Sequence, residues 1–366
     1  MDFLWRVAEQ FAPEGEIVDV REHGNGNIND TYLVIFGPGE GDKFVLQRIN
    51  THVFTRPERI IHNLRIFTDH ADGQIDRAQD DPGRQWHIPH IRPTRSGQDY
   101  HVDSQGSFWR AISFVNHSQS FDTVLDEAHA REAGYALGRF HALVSDLDVL
   151  TMHDTLEGFH IPPRYLEVYD RARDRTPRDC TTPEVRYCRE MIEARRPWAS
   201  VLEDAKARGE LQMRVIHGDP KINNFMISEQ TGRAVSVIDL DTVKPGLVHY
   251  DIGDCLRSSC NPLGEETTDF EQVRFDVGLA EAILDGYGGV AKDFLTENDY
   301  AYLYDAIRLL PFELGLRFFS DYLAGNVYFK ARYNEHNLHR AIVQFKLAES
   351  VESQEVELHA VINDLR

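Results

Sequence analysis

Residues 214–242 read R-V-I-H-G-D-P-K-I-N-N-F-M-I-S-E-Q-T-G-R-A-V-S-V-I-D-L-D-T. Arg214-Val215-Ile216 and Phe225-Met226-Ile227 are short apolar runs on either side of a polar loop. Thr231-Gly232-Arg233 then turns the chain into a third run, Ala234–Leu240. Runs of this kind bounded by turn residues are expected to be strands. Asp219, Lys221 and Asn224 share the loop and Asp239 closes the last run, so Asn224 and Asp239 are expected to meet at neighbouring strand ends. The set has the parts that phosphoryl transfer needs. Asp219 is placed to orient an acceptor hydroxyl and take its proton, and Lys221 to neutralise a γ-phosphate. The Asn224 amide oxygen and the Asp239 carboxylate suit Mg²⁺, with Asp241 assisting the metal or orienting Asp239. Taken singly, each residue is also at home in a surface turn; the spaced set carries the reading. No Ser, Cys or His is placed there as a nucleophile, so transfer is expected to be direct.

H-G-D-x-x-x-x-N followed by I-D-x-D resembles the aminoglycoside phosphotransferase and choline kinase superfamily. Within it the chain is most similar to the bacterial N-acetylhexosamine 1-kinases. G-N-G-N-I-N-D-T-Y-L-V at 24–34, F-V-L-Q-R-I-N at 44–50, W-R-A-I-S-F-V at 109–115 and G-L-R-F-F-S-D-Y-L-A-G-N-V-Y-F at 315–329 extend the likeness in order along most of the chain. The resemblance implies an α+β, protein-kinase-like, two-lobed fold. Residues 1–112 would form an antiparallel-sheet lobe that binds nucleotide, and 113–366 a mostly helical lobe with the catalytic and acceptor sites. It also implies ATP and Mg²⁺ as cofactors and a sugar phosphorylated at its anomeric hydroxyl.

Working back from the loop, residues 2–12 read as a short amphipathic helix and Glu16–Glu22, Thr31–Phe36 and Lys43–Ile49 as the first three strands. Gly24-Asn25-Gly26-Asn27-Ile28-Asn29 joins the first two, either as a plain hairpin turn or as a lid whose N–H groups approach phosphates at Gly24 and Gly26. It departs from G-x-G-x-x-G at Asn29. In kinases the third strand supplies a lysine to the phosphates. Here Gln47 stands in that register as the nucleotide contact, and Arg48 faces the other way under the two-residue strand period. The next helix, 57–70, offers no mid-helix Glu, so both halves of the usual ion pair are missing together. Either Mg²⁺ and Lys221 take over the charge, or the kinase is dead. Three more strands, 86–93, 99–102 and 108–115, follow. The resemblance makes Ser113–Val115 the hinge whose backbone receives adenine; the residues alone also allow a simple strand exit.

From about 116 the pattern is helical, at 127–147, 183–209, 269–287, 297–333 and 338–364. His141 on the first of these, and Asp251 in Y-D-I-G-D, read as structural; in the resembled superfamily an Asp at this point braces the catalytic loop. Arg317 and Asp321, four apart, form the pattern of a helical surface salt bridge, yet they sit in the apolar, aromatic stretch 312–329. The resemblance makes this stretch the sugar site, with Arg317, Asp321 and Tyr328 toward the acceptor. The hexosamine 1-kinases carry a His in the glycine loop that reaches the sugar. The matching residue here is Asn27, which leaves N-acetylglucosamine, N-acetylgalactosamine and related hexoses open.

Composition bounds the rest. With 366 residues, 42% hydrophobic and 27% charged, the chain is long enough for two globular lobes. Lys+Arg 39 against Asp+Glu 60 gives −21, which argues against nucleic-acid and anionic-membrane partners. Cys180, Cys188, Cys255 and Cys260 have neither zinc nor disulfide-scaffold spacing. No window approaches the ~20 apolar residues of a membrane helix, and the N-terminus lacks a signal-peptide core. A cytoplasmic enzyme with a nucleotide and a small-molecule partner is expected. Two alternatives remain: the same chemistry on an aminoglycoside, amino alcohol or homoserine, and a nucleotide-binding pseudokinase, for which Gln47 speaks.

Overall fold

The computed structural model describes residues 2–12, 17–24, 28–37, 42–75, 84–175, 182–291 and 294–366. Strands β1 (Ile17–Glu22), β2 (Asp30–Phe36), β3 (Asp42–Ile49), β4 (Ile91–Arg92), β5 (His101–Val102) and β6 (Phe108–Ser113) make an antiparallel sheet in the order β1-β2-β3-β6-β4, with β5 on β6. Strand alternation divides its faces. Val34, Phe36, Phe44, Leu46, Trp109 and Ala111 form a small core with Val7, Ala8 and Phe11 of α1 (Asp2–Phe11). Thr31, Gln47 and Arg110 lie side by side across β2, β3 and β6 and therefore share the opposite face. β4 and β5 are shorter than expected. Pro89 and Pro93 flank Ile91-Arg92 and remove the donors a longer strand would need.

α2 (Pro57–Ile75) runs past its expected end at 70 and sends Ile60, Ile61, Leu64 and Phe67 into the large core of the helical C-terminal region. That region holds α3 (Glu127–Leu143), α4 (Pro162–Arg175), α5 (Pro183–Arg195), α6 (Val201–Ala207), α7 (Val248–Ser259), α8 (Val277–Ala291), α9 (Glu297–Ala301), α10 (Leu303–Leu323), α11 (His336–Ser353) and α12 (Glu355–Leu365). A ribbon of β7 (Ser118–Gln119), β9 (Phe225–Ser228) and β10 (Ala234–Val237) and a pair of β8 (Arg214–Ile216) and β11 (Lys244–Gly246) frame the polar loop. Three expected long helices are broken, the one at 338–364 at Gln354 between α11 and α12. Pro197 sits in a 3₁₀ turn between α5 and α6. α10 stops at Leu323, where Gly325 (φ 93°) and Asn326 (φ 57°) turn left-handed, so 324–335 is a loop and carries Tyr328. Among the described residues no helix is long and apolar enough to cross a membrane.

The C-terminal region is keyed by glycines on α3 and α8. A Cβ on Gly134 would lie 1.8 Å from the Ile283 carbonyl oxygen, and one on Gly286 2.0 Å from that of Arg131. Backbone meets backbone, so no side chain can yield. Gly134→Ala gains about 1 kcal/mol of helix propensity but forces the two helices apart, an overpacking cost of about 3 kcal/mol. A net loss of about 2 kcal/mol is expected from urea unfolding; an unchanged midpoint would mean that the helices slide freely.

Candidate active site

β8 feeds directly into His217-Gly218-Asp219. Gly218 has φ 85°, and a Cβ there would stand 2.6 Å from the Thr242 carbonyl oxygen, so conformation and space both require glycine. Asp251 on α7 accepts the amides of His217 (2.6 Å) and Gly218 (2.8 Å), and its Oδ2 lies 2.9 Å from His141 Nε2. Burial opposes its charge, but the bond to His141 and the two amides win and hold its carboxyl below the usual range. The other His141 nitrogen meets the Tyr287 hydroxyl at 2.9 Å, so His141 and Asp251 are parts of a brace. His217 Nδ1 accepts the Asp219 amide (3.2 Å), which leaves Nε2 to donate to the Ile238 carbonyl (2.9 Å). Burial holds this neutral ring's pKa down.

A second brace is not legible in the sequence. His160, left-handed at φ 61°, faces the Gly218 carbonyl with Nε2 (2.7 Å) and Glu313 with Nδ1 (3.0 Å). Both partners are acceptors, so the ring is a double donor. Burial opposes its charge, and Glu313 outweighs it and raises its pKa.

The loop held in this way presents Asp219 with Oδ2 2.9 Å from Lys221 Nζ. Burial works against the Lys221 ammonium, yet Asp219 and Asp239 keep it above the usual lysine range. Asn224 donates its Nδ2 to the Asp219 carbonyl (2.7 Å), and its own carbonyl accepts the Ile238 amide (2.9 Å). This ties the loop to the end of β10 and leaves Asn224 Oδ1 without a hydrogen bond from any described residue.

Asp239 follows β10 with φ 62° and ψ 54°, a left-handed geometry uncommon outside glycine. Its carboxylate makes no hydrogen bond or ion pair with a described residue. Desolvation and the charges of Asp241 and Asp219 push its pKa up to about 7, against Lys221 and Arg110. A divalent cation would relieve that crowding. Among the described residues no cluster of three or more His, Cys, Asp or Glu is arranged as a metal cage. Mg²⁺ does not need one, because it takes one or two protein oxygens and completes its shell with phosphates and water. Asn224 Oδ1 and Asp239 fit that donor set.

Asp241 does not fit it, which corrects its expected place at the metal. It is 3% exposed and pairs through Oδ1 with Arg110, while Oδ2 accepts Asn29 Nδ2 at 2.6 Å. Both oxygens face the N-terminal sheet. The expected phosphate contact of Gln47 needs a similar correction. Its Nε2 donates to Thr31 Oγ1 (3.2 Å), and its Oε1 accepts Arg110 Nε and Nη2 (3.0 and 2.7 Å). Arg48 points outward to Asp30, as the strand period predicts. α2 carries a glutamate only in its first turn, Glu58, and in mid-helix its buried Asn63 donates Nδ2 to the carbonyls of His153 and Val243, each at 2.8 Å.

Gly24 has φ 75° at the entry to the glycine loop; Gly26 and Asn27 lie outside the described residues. Ser113 does not offer its amide to a nucleotide. Its amide goes to the His90 carbonyl (2.8 Å) and its hydroxyl accepts the His90 amide (2.9 Å). Val115, two residues on, packs with Met226, Val235 and Ile238 in a small apolar cluster of its own.

Beyond Asp219 the side chain of Arg317 lies over Phe159 (5.0 Å), Tyr165 (5.2 Å) and Phe329 (5.4 Å). It makes no hydrogen bond or ion pair with any described residue. The expected acceptor contact of Asp321 is corrected. Its carboxylate is buried and accepts the amides of Val327, Tyr328 and Phe329 and Asn337 Nδ2 at 2.8–3.1 Å, so its oxygens are engaged in shaping the loop. Tyr328 stays half-exposed on that loop, edge-on to Phe329. A cavity of about 780 Å³ runs from Gly24 and Thr31 past Lys221 to Arg257 and Lys330.

The family model described as "Phosphotransferase enzyme family" matches residues 19–293. Among solved structures, an aminoglycoside phosphotransferase from Alicyclobacillus acidocaldarius is 16% identical, with TM-score 0.62, over 98% of this chain and 96% of that one. A microcompartment-associated aminopropanol kinase is 15% identical, with TM-score 0.61, over 97% and 98%. An amicoumacin kinase in complex with AMP-PNP, Ca²⁺ and its ligand is 14% identical, with TM-score 0.59, over 97% and 94%. At these identities the likeness establishes the shared fold, an antiparallel-sheet region joined to a helical one in the protein-kinase manner.

Proposed function

Because the chain belongs to the phosphotransferase enzyme family, we propose that it is an ATP- and Mg²⁺-dependent kinase that phosphorylates the anomeric hydroxyl of an N-acetylhexosamine or related sugar. Residues 1–112 serve as the nucleotide lobe and 113–366 as the catalytic and acceptor lobe. Adenine rests on Val115, Met226 and Ile238, and the glycine loop covers the phosphates. Asp219 orients the acceptor hydroxyl and takes its proton as oxygen attacks the γ-phosphorus. The bond to the β–γ bridging oxygen breaks, and ADP leaves. Lys221, bonded to Asp219 on one side, meets the γ-phosphate on the other. Asn224 and Asp239 would hold Mg²⁺, which when bound neutralises the phosphate oxygens.

The observation that carries the sugar reading is Arg317. An aminopropanol kinase acts on an amine, which is a cation at neutral pH. Here a guanidinium that makes no ion pair with a described residue, and meets the charges of Glu313 and Asp219 only through space, stands among aromatic rings, and it would repel a cation. Rings that cover a sugar face, with N–H groups that read its hydroxyls or acetamide oxygen, make a coherent pocket.

The test is magnesium-dependent ADP release with N-acetylhexosamines, simple hexoses, aminoglycosides, aminopropanol, choline and homoserine, followed by NMR assignment of the phosphorylated carbon. Phosphate on an anomeric carbon is expected. Arg317→Ala is expected to raise KM for that sugar about 10- to 100-fold with a smaller change in kcat. Turnover confined to amines would overturn the pocket. ATP binding with no acceptor would favour a regulatory nucleotide-binding protein.

A further inference from the structure

We infer that Arg110 is a phosphate-binding residue of the nucleotide site, and that it supplies from β6 the positive charge that β3 lacks at Gln47. The inference rests on the kinase reading above.

The register comes first. Gln47 and Arg110 are direct partners across β3 and β6, and directly opposed residues of a sheet share a face. That face is turned away from α1, whose core takes the intervening Leu46, Trp109 and Ala111. A cation on either strand at this level can therefore serve the same space. Gln47 is its cradle. The Gln47 amide donates to Thr31 and so presents Oε1 to Arg110, which binds it with Nε and Nη2. A lysine at 47 would set two cations side by side, so the neutral amide and the neighbouring arginine are complementary choices.

Asp241 shares Nη2 with Gln47 and stands two residues from Asp239, the candidate metal ligand. It also receives Asn29 at the end of the glycine loop. One carboxylate thus sets Arg110 between the phosphate-covering loop and the metal loop. Arg110 is 1% exposed, and its Nη1 is buried without a hydrogen-bond partner. A charged donor sealed from water with no acceptor is costly unless something bound completes it. Thr31 and Asn29, which bond Gln47 and Asp241, line the cleft beside it; the acceptor we assign there is the nucleotide's phosphate chain, whose oxygens suit a guanidinium by shape and charge.

Calorimetry of the full chain with ATP·Mg²⁺ and, separately, with adenosine tests this. Arg110→Met is expected to weaken ATP about 10- to 100-fold and to leave adenosine within about twofold, whereas Arg110→Lys keeps most of the preference for ATP. Removing Arg110 strands Asp241, so Arg110→Met/Asp241→Asn provides a neutral pair that can be compared if the single variant does not fold. An ATP-to-adenosine affinity ratio equal to the parent's in the folded variant, or an equal loss for both ligands, would overturn the role and leave Arg110 a structural latch. A parent chain that binds no ATP would instead overturn the kinase reading itself.

Discussion

Asp219→Asn is expected to lower kcat about 1,000-fold while the Kd for ATP stays within about threefold. A positioned general base contributes ~10²–10⁴ in rate, and asparagine keeps the shape of the side chain while losing the ability to take a proton. The surroundings favour a clean result. Asp219 is placed by its backbone: its amide bonds to His217 Nδ1 and its carbonyl to Asn224 Nδ2 and the Lys221 amide. None of these uses the carboxylate, so the loop survives the change. What the substitution breaks is the ion pair with Lys221 at 2.9 Å. That pair is partly exposed, so its contribution to stability is small. Release of Lys221 bears on the γ-phosphate alone, which is why ATP affinity is allowed to move slightly. The measurement pairs steady-state turnover on the identified acceptor with calorimetry of ATP binding. Turnover kept within tenfold would remove Asp219 as the base. A joint collapse of turnover and ATP affinity would show that the substitution disturbs the site as a whole.

What is legible in the sequence is local in it. Val215 to Asp241 carries its strands, its turn and its spacing within one stretch, and the structure builds β8, β9 and β10 there with Asn224 bonded across to Ile238. Sheet alternation is equally local, and it sends Arg48 outward. The residues that spacing misplaces are those whose partners lie far along the chain. Asp241 meets Arg110 131 residues away and Asn29 212 residues away, and no spacing rule announces either. Gln47 reads as a deficit because its neighbour across the sheet is 63 positions distant. Arg110 leaves one trace, an arginine inside the apolar run F-W-R-A-I-S, but only the β3–β6 register gives it meaning. For Asp321, the four-residue distance from Arg317 reads as a helical surface salt bridge, and only the resemblance turns it toward the acceptor. The carboxylate turns instead to the amides of a loop that periodicity alone continues as helix.

The brace behind the Asp219 loop is the site where loss should be most damaging to the fold. Asp251→Ala is expected to cost about 3–5 kcal/mol, the range for removing one partner of a buried charged pair, and to abolish turnover. Two buried amides, those of His217 and Gly218, and the His141 ring lose their acceptor at once, and alanine fills none of the space. Gly218 is confined by its positive φ and by Thr242, so the loop has no relaxed alternative nearby. Asp251→Asn keeps one acceptor oxygen but turns an NH₂ toward a donor, so an intermediate loss is expected. The sign with pH also follows. The Asp251 pKa is lowered on folding, so its contribution is fully present above the unfolded value of about 4 and is lost only as pH falls below it. Urea unfolding at pH 7 therefore reads the whole effect. Amide hydrogen exchange separates a global from a local role: His217 and Gly218 should lose protection by more than the global change accounts for. If their protection falls only in step with global stability, Asp251 supports the core and not the loop, and the His160–Glu313 pair on the far side of Gly218 becomes the element that holds Asp219 in place.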